Sequence, residues 1–479
     1  MTLNARAPRR LGLLCSAAAL LSACATPPDL GARPDMASPQ QYETTRSFAA
    51  PAANWPSDRW WESYGDSQLT ALIEEALRDS PTLAIAAARV RQAQAAAQQT
   101  GAARYPSLGA QGSLQQTRRE LSGDLADALP ISSSGEWTTQ ASASLQLSYQ
   151  LDFFGRNRAA FAAATSTARA AEAEAASARL QLSTAVALAY AQLAQQCADR
   201  NALAEAARMR QASTELVRQR VAAGVESQGQ LDQATAEFAQ VRADLVGARG
   251  AILRTRNQLA ALLGKGPDRG LDIAEPSNLT LSPVALPERV DLDLIGRRPD
   301  LVAARLNAEA KSSNIDVARA AYYPNINLAA VVGLQSLGLA QLGDGAVRFA
   351  QAGPAISLPI FSGGALDGQY RGARGAYDEA VAQYNDSLTN ALREVADAVG
   401  DRRTVQAQLI EQRRAFEAAQ SAYRAAQIRY RGGLASYIDT LSSENTLIQQ
   451  RRTLASLEAQ AFALDITLVR ALGGGFTTT

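Results

Sequence analysis

The stretch that most constrains the fold is residues 137–155, WTTQASASLQLSYQLDFFG. Between residues 141 and 152 the odd positions carry Ala, Leu or Tyr, and the even positions carry Ser, Gln or Asp. A period of two predicts a β-strand with one apolar and one polar face. From Trp137 to Tyr149 such a strand rises roughly 40 Å, or about 30 Å of height in a tilted barrel. That height matches a bilayer with an aromatic residue at each rim. We therefore expect an outer-membrane barrel strand, the alternative being an amphipathic strand of a soluble sandwich.

The composition argues against most enzyme classes and against nucleic-acid binding. The chain has 479 residues, a formal net charge of +1 and no histidine. The nearly balanced charge gives no indication of nucleic-acid binding. Without histidine, most acid–base, triad and zinc chemistry lacks its usual side chain. The three cysteines are too few and too scattered for a disulfide or metal framework. We expect no enzyme activity, no metal and no cofactor.

Residues 1–23 predict a signal peptide. Three arginines precede the apolar run 11–21, which is too short to span a bilayer as a permanent helix. The run ends in Leu-Ser-Ala-Cys, which resembles a bacterial lipobox whose cysteine, Cys24, is acylated; an ordinary secretory signal is the alternative. Ala25 after it resembles the outer-membrane-directed pattern. Residues 24–57 hold six prolines and no periodicity, which predicts a lipidated extended tether.

The rest of the chain repeats one helix-strand-strand-helix-helix unit. Tyr105-Pro106 recurs as Tyr323-Pro324, and the turn at 224–227 recurs at 433–436, 209 positions later (433 minus 224). The pattern predicts a first repeat over 58–264, an equatorial segment over 265–298, a second repeat over 299–473 and a C-terminal tail over 474–479. It predicts strands at about 107–118, 137–152, 325–335 and 347–361, and long helices at about 155–222, 228–264, 363–431 and 437–472.

Four membrane strands cannot close a barrel alone. An open edge in lipid leaves backbone groups unpaired, at a cost of several kcal/mol each. Closure takes about eight strands or more in an even set, so two, three or four copies are all compatible with it. Inner faces of Ser, Gln and Asn do not interlock into an apolar plug, so we expect a water-filled lumen. The helices that follow the strands are expected to prolong it for about 100 Å.

The motifs of both repeats carry a resemblance to a known family. In chain order they are Trp60-Trp61, Ser80-Pro81, Tyr105-Pro106, Leu151-Asp152-Phe153-Phe154-Gly155-Arg156, Arg298-Pro299-Asp300-Leu301, Tyr323-Pro324, Leu358-Pro359-Ile360-Phe361 and Gly432-Gly433-Leu434. Over residues 60–472 the chain resembles the outer-membrane efflux protein family of TolC and OprM. The Cys24 start and the paired tryptophans resemble its lipoprotein branch, which works with resistance-nodulation-division (RND) pumps.

This resemblance implies an α+β membrane protein, a homotrimer whose twelve-stranded outer-membrane β-barrel continues into a long periplasmic α-helical barrel. It implies a lipid-anchored chain that spans outer-membrane lipid and partners a periplasmic adaptor (membrane fusion protein) and an inner-membrane RND-type transporter. The implied function is passive: an exit duct for drugs or other small toxic compounds, with energy supplied by the transporter.

The resemblance also assigns residues at the helix turns to adaptor contact. The adaptor-contact tips are Gly224, Val225, Ser227, Gly433, Leu434 and Ser436. Glycine permits the tight reversal and serine can cap the return helix, so a plain helical-hairpin turn explains the same residues.

Asp439 resembles the family's acidic ring at the periplasmic mouth, which constricts the passage. Symmetry-related carboxylates there would repel one another and attract cations, which suits a gate. A lone Asp in the first turn of a helix would equally favour the helix dipole. Ser442 stands where the family pattern often has a second acid, and we include it with Asp439 in the predicted gate.

Two other functions stay open at this point. The same duct would serve type I protein secretion, which composition does not separate from efflux. A non-porous periplasmic scaffold anchored by lipid is a different class, and it would carry no ion current.

Overall fold

The computed structural model describes residues 26–118, 137–276, 286–287, 290–336 and 346–477. The predicted signal peptide and Cys24 lie outside these ranges. Of the described residues, those within Met1–Asp35, Arg91–Arg169 and Leu306–Ala382 form one compact unit. Those within Met36–Val90, Ala170–Arg305 and Gln383–Thr479 form a second unit.

Helices dominate the described ranges. They are α1 (Ser67–Asp79), α2 (Pro81–Ala102), α3 (Arg156–Ala222), α4 (Gln228–Leu262), α5 (Val290–Arg297), α6 (Pro299–Ala320), α7 (Ala365–Arg431) and α8 (Tyr437–Ala471). Shorter helical segments lie at Pro39–Gln41, Trp60–Tyr64 and Asp268–Leu271. α3 and α7 have 67 residues each, and α4 and α8 have 35 each, as a duplicated unit requires. Within the described ranges, no helix combines the length and apolarity needed to cross a bilayer.

Four strands form one antiparallel sheet, in the order β1 (Ser107–Arg118), β2 (Trp137–Leu151), β3 (Asn325–Ser336) and β4 (Val347–Ser357). The first repeat therefore pairs directly with the second, and Leu145 of β2 lies opposite Val332 of β3. In the described part of the chain, β1 and β4 are the two edges of the sheet.

β4 is shorter than the sequence pattern predicts. It ends at Ser357, whereas the apolar residues that follow predict a strand to about residue 361. Its partner β3 begins at Asn325, which pairs with Ser357, so β3 offers no position that continues the ladder beyond Ser357. Proline alone does not end this edge strand, because β4 already contains Pro354. Ile360 and Phe361 lie beyond the strand with 62% and 91% of their surface exposed.

Apolar clusters pack the second compact unit. One centres on Trp60, Trp61 and Leu69, all almost fully buried against α3 and α8. The hydroxyl of Tyr64 donates to Asp465 of α8 at 2.6 Å, and Arg402 of α7 pairs with the same carboxylate. The short helix Trp60–Tyr64 is thereby fixed to the long helices by both apolar and polar contacts.

Part of the segment predicted as an extended tether lies against α7. Arg374 donates to the carbonyl of Gly31 at 3.2 Å, and the hydroxyl of Tyr377 donates to the carbonyl of Pro34 at 3.1 Å. Because these bonds use backbone carbonyls, no side-chain periodicity in the segment predicts them.

Candidate functional site

One face of the sheet is polar and hydrogen-bonded between strands. Side-chain hydrogen bonds cross it: Gln146 donates to Gln111 at 2.9 Å, the Ser113 and Ser142 hydroxyls lie 2.8 Å apart, and Ser148 donates to Asn327 at 3.1 Å. These residues occupy the polar positions of the period-two pattern. A face with this many donors and acceptors suits the lining of an aqueous passage.

The opposite face is apolar and exposed in the single chain. Leu108 lies opposite Leu147, and Ile326 lies opposite Ile356. Leu108, Leu147 and Ile356 keep 71%, 42% and 68% of their surface exposed. Soluble monomers rarely leave so continuous an apolar surface in water, whereas lipid covers it readily.

The two helix-turn tips have the same backbone. The first tip joins α3 to α4 and the second tip joins α7 to α8. Gly224 and Gly433 both have φ +74°, the left-handed region that glycine tolerates. At each tip the next residue donates its N–H to the carbonyl five positions earlier, at 2.9 Å and 2.8 Å, as in a Schellman motif.

A serine caps the return helix at each tip, which confirms the predicted caps. The Ser227 hydroxyl accepts from the Gln230 N–H at 3.4 Å, and the Ser436 hydroxyl accepts from the Asp439 N–H at 3.3 Å. In return, each serine N–H donates to the side chain three residues on, at 2.7 Å and 2.9 Å. Both arrangements are capping boxes.

Exposed aliphatic side chains surround the tip glycines. Val225 at the first tip is 62% exposed and Leu434 at the second tip is 75% exposed. Ile428 and Ile438 add to the second tip, with 71% and 57% exposed. The sequence reasoning missed both isoleucines, although aliphatic residues flanking a Gly-Gly turn in a polar window are a usable signal.

Asp439 and Ser442 are both exposed near the start of α8. The Ser436 backbone N–H and hydroxyl, which both contact the carboxylate, hold the pKa of Asp439 below its usual value, and Arg429 adds to this effect. Asp439 therefore stays ionised at neutral pH. The single chain contains no symmetry-related carboxylates, so the gate stays a prediction.

A buried charged cluster lies farther along the same helices. Arg210 of α3 and Glu444 of α8 are each 1% exposed, and Arg210 Nε is 3.0 Å from Glu444 Oε1. Arg210 also lies 3.7 Å from Glu237 of α4 and donates to the Asn445 side chain. Sequence reasoning missed this cluster. The available signal is that both charged residues have small or apolar residues three and four positions away, several of which are buried, such as Ala206 beside Arg210 and Leu447 beside Glu444.

Two buried tyrosines lie between this cluster and the tips. Tyr430 and Tyr437 are 2% and 1% exposed, with ring centroids 6.0 Å apart. The Arg220 guanidinium of α3 stacks 4.8 Å from the Tyr430 ring and pairs with Glu226 at 3.4 Å. This packing fixes α3 against α7 and α8 immediately behind the tips.

Comparisons with known proteins cover nearly the whole chain. The family model described as Outer membrane efflux protein matches residues 72–265 and 293–474. The multidrug resistance outer membrane protein MdtP of Escherichia coli (strain K12) is 31% identical over 477 residues, covering 97% of this chain and 96% of MdtP. The cation efflux system protein CusC of the same strain is 30% identical over 477 residues, covering 98% of this chain and 100% of CusC.

A solved structure agrees with these matches. The outer membrane protein VceC from Vibrio cholerae superposes with a TM-score of 0.81 at 43% identity, over 88% of this chain and 100% of VceC. The duplicated unit, the antiparallel sheet and the paired long helices are thus shared along the full length of a structural neighbour. The chain belongs to the outer membrane efflux protein family.

Proposed function

We propose that three copies of this outer-membrane efflux channel close a twelve-stranded barrel that conducts drugs or other small toxic compounds. The observation that carries the proposal is the sheet, with a hydrogen-bonded polar face, an exposed apolar face and two edges, β1 and β4, in the described residues. Unpaired edges in lipid cost several kcal/mol per backbone group, so β1 of one copy pairs with β4 of the next. The family resemblance supplies the number three.

Two adjacent substitutions in β1 test this arrangement. Leu114 lies on the apolar face and is 57% exposed, whereas Gln115 lies on the polar face opposite Gln140. Leu114→Arg should block insertion, because a lipid-facing arginine costs about 2–4 kcal/mol near the bilayer midplane. Gln115→Arg should insert and shift the planar-bilayer current towards anions. Equal insertion of both variants, or a wild type that stays a monomer without current, would refute the proposal.

The two tips are proposed to contact a periplasmic adaptor, which connects the duct to an inner-membrane RND-type transporter. The support is exposed aliphatic surface on a rigid turn, mainly Leu434 and Val225. Leu434→Asp should lower drug resistance in cells while leaving the bilayer current unchanged. Val246→Asp is the matched control, since Val246 is 66% exposed within α4 and away from the tip. Equal loss of resistance in both variants would remove the tips from the contact.

Asp439 is proposed as the gate, with Ser442 beside it. The support is an exposed carboxylate that stays ionised because Ser436 lowers its pKa. Asp439→Ala should raise the current of the resting channel, because cations held between the ring carboxylates no longer obstruct the passage. Asp244→Ala, an exposed acid within α4, should leave the current unchanged. An identical current in both variants would take Asp439 out of the gate.

Cys24 is proposed as the lipid anchor, although it lies outside the described residues. Cys24→Ser should abolish palmitate labelling. Unchanged labelling would mean that the lipobox resemblance is coincidental.

The substrate class is the remaining part of the proposal. MdtP carries a multidrug resistance name and CusC a cation efflux name. Susceptibility of a deletion strain to unlike drugs and to metal salts separates these classes, and we expect the larger change with drugs. Loss of a secreted protein from the medium without any change in susceptibility would instead support type I secretion.

A further inference from the structure

The buried cluster around Arg210 contains two acids and one arginine, so one acid has no positive charge of its own to balance it. Arg210 of α3 carries one positive charge and lies 3.0 Å from Glu444 and 3.7 Å from Glu237. Glu237 is 37% exposed and Glu444 is 1% exposed. Water can solvate the first carboxylate and cannot reach the second. If both acids ionise, the cluster carries a net charge of −1. The charge on Glu444 is then the one that water does not solvate.

Protein groups do not compensate Glu444 for the solvation that it loses through burial. The contact with Arg210 is close but poorly aligned, and among the described residues no donor makes a hydrogen bond to either carboxylate oxygen. Arg210 Nη2 is turned instead towards the Asn445 side chain. A buried carboxylate with a single misaligned partner does not recover its desolvation cost.

The groups that face Glu444 come from all four helices. They are Arg210 of α3, Glu237 of α4, Tyr423 of α7 and Tyr437 of α8. Burial raises the pKa of Glu444 to about 7, while Arg210 lowers it and Glu237 raises it. Burial also raises the pKa of Tyr423, to about 12, and that of Tyr437, so both phenols stay neutral. Glu444 is thus the member of the cluster whose ionisation falls near neutral pH.

We propose that Glu444 makes the packing of α3, α4, α7 and α8 behind the tips depend on periplasmic pH. The helices pack closely while Glu444 holds a proton, and they open locally to admit water when it ionises. The direction follows from linkage, because an acid whose pKa is raised in the packed state favours packing at low pH. That contribution is complete below the ordinary glutamate value and is lost as the pH rises through about 7. Its relevance to transport rests on the proposed duct.

Amide hydrogen exchange of the full-length chain in detergent tests the proposal. Between pH 6 and pH 8 the local opening constant of residues 437–447 should rise about tenfold, after correction for intrinsic exchange. Glu444→Gln should abolish this rise, because the amide does not titrate. Glu458→Gln should keep it, since Glu458 lies on the same helix but is 51% exposed.

A direct titration guards against a variant that folds poorly. In the wild type, infrared difference spectroscopy should show a protonated carboxyl band that disappears between pH 6 and pH 8. An absent band, an opening constant that falls or stays constant with rising pH, or an unaltered rise in Glu444→Gln would overturn the proposal. A chain without bilayer current would refute the proposed duct and leave this exchange result intact, so the two failures are distinguishable.

Discussion

The first and second tips share a backbone and differ in side chains. Both reverse at a glycine with φ +74° and both begin the return helix with a serine capping box. At positions 209 apart, however, Gln230 corresponds to Asp439 and Arg210 corresponds to the buried Ala419. Both repeats therefore have the glycine and the serine cap that a tight helix reversal requires. The side chains around that turn differ between the repeats.

The buried cluster shows the same contrast more strongly. Its arginine, Arg210, comes from the first repeat and its buried acid, Glu444, comes from the second. Their counterparts 209 positions away are Ala419 and Thr235, which do not form a charge pair. In the described part of the chain, the cluster therefore lies at only one of the two positions that the duplication makes equivalent. The predictions below test how far this difference extends.

The largest expected effect is that of Arg210→Met. This change leaves the buried Glu444 without an opposite charge, which typically costs about 3–5 kcal/mol. We expect that loss at pH 8 and a smaller one at pH 6, where Glu444 takes up a proton. The denaturant midpoint at the two pH values measures both.

Arg218→Met supplies the control for Arg210. Arg218 pairs with Glu215 at the surface, where both side chains are more than half exposed, and such pairs contribute about 0–1 kcal/mol. Similar denaturant midpoints for the two variants would show that the buried Arg210 contacts stabilise the fold no more than a surface ion pair does.

The tip glycines should give equal, intermediate effects. Gly224→Ala and Gly433→Ala each place a Cβ on a left-handed backbone, at a cost of about 1–2 kcal/mol. No atom lies within 4 Å of the added Cβ at either tip, so backbone strain alone decides the cost. Thermal unfolding of both variants measures it.

Gly247→Ala is the control for the tip glycines, because Gly247 lies inside α4 with equally open surroundings. There alanine should stabilise the helix by about 0.5–1 kcal/mol. A clear difference between the two tip variants would break the backbone equivalence on which the comparison rests.

Features set by local chemistry are those that the sequence predicts best. Alternation around Leu145 and Ser144 depends only on the strand's own geometry, and the sheet has that polar and apolar division. The expected family fold is confirmed by VceC and by the family match. The predicted end of β4 is wrong, because the apolar pattern continues to about residue 361 whereas the ladder stops at the pair Asn325–Ser357, where β3 begins. That limit comes from the partner strand, so the residues of β4 do not reveal it.

Features that depend on which helix faces meet are poorly predicted. Arg210 and Glu444 are 234 positions apart, and neither residue reveals from its own helix which partner it will face. The serine caps were predictable because both partners lie within four residues of each other. The gate role of Asp439 depends on other copies of the chain, so one chain supports it only through the charge and exposure of the carboxylate.

The smallest expected difference between the tips is their response to acid. The Ser436 N–H and hydroxyl lower the pKa of Asp439, so this cap stabilises the second tip above the ordinary aspartate value of about 3.9. Its contribution is lost as the pH falls through the lower, folded value. The amide of Gln230 does not titrate. From pH 5 to pH 3, exchange at the start of α8 should therefore accelerate relative to the start of α4.

A Glu444→Gln background removes the neighbouring titration from this measurement. In that background Gln230→Asp should give the first tip the same acid response, because the capping geometry already matches at 2.7 Å and 2.9 Å. Asp439→Gln should remove the response from the second tip. If amide exchange at both tips responds to acid as it did before the side chains were exchanged, the response comes from the surrounding helices and not from the cap. The two turns would then be equivalent in their electrostatics as well as in their backbone.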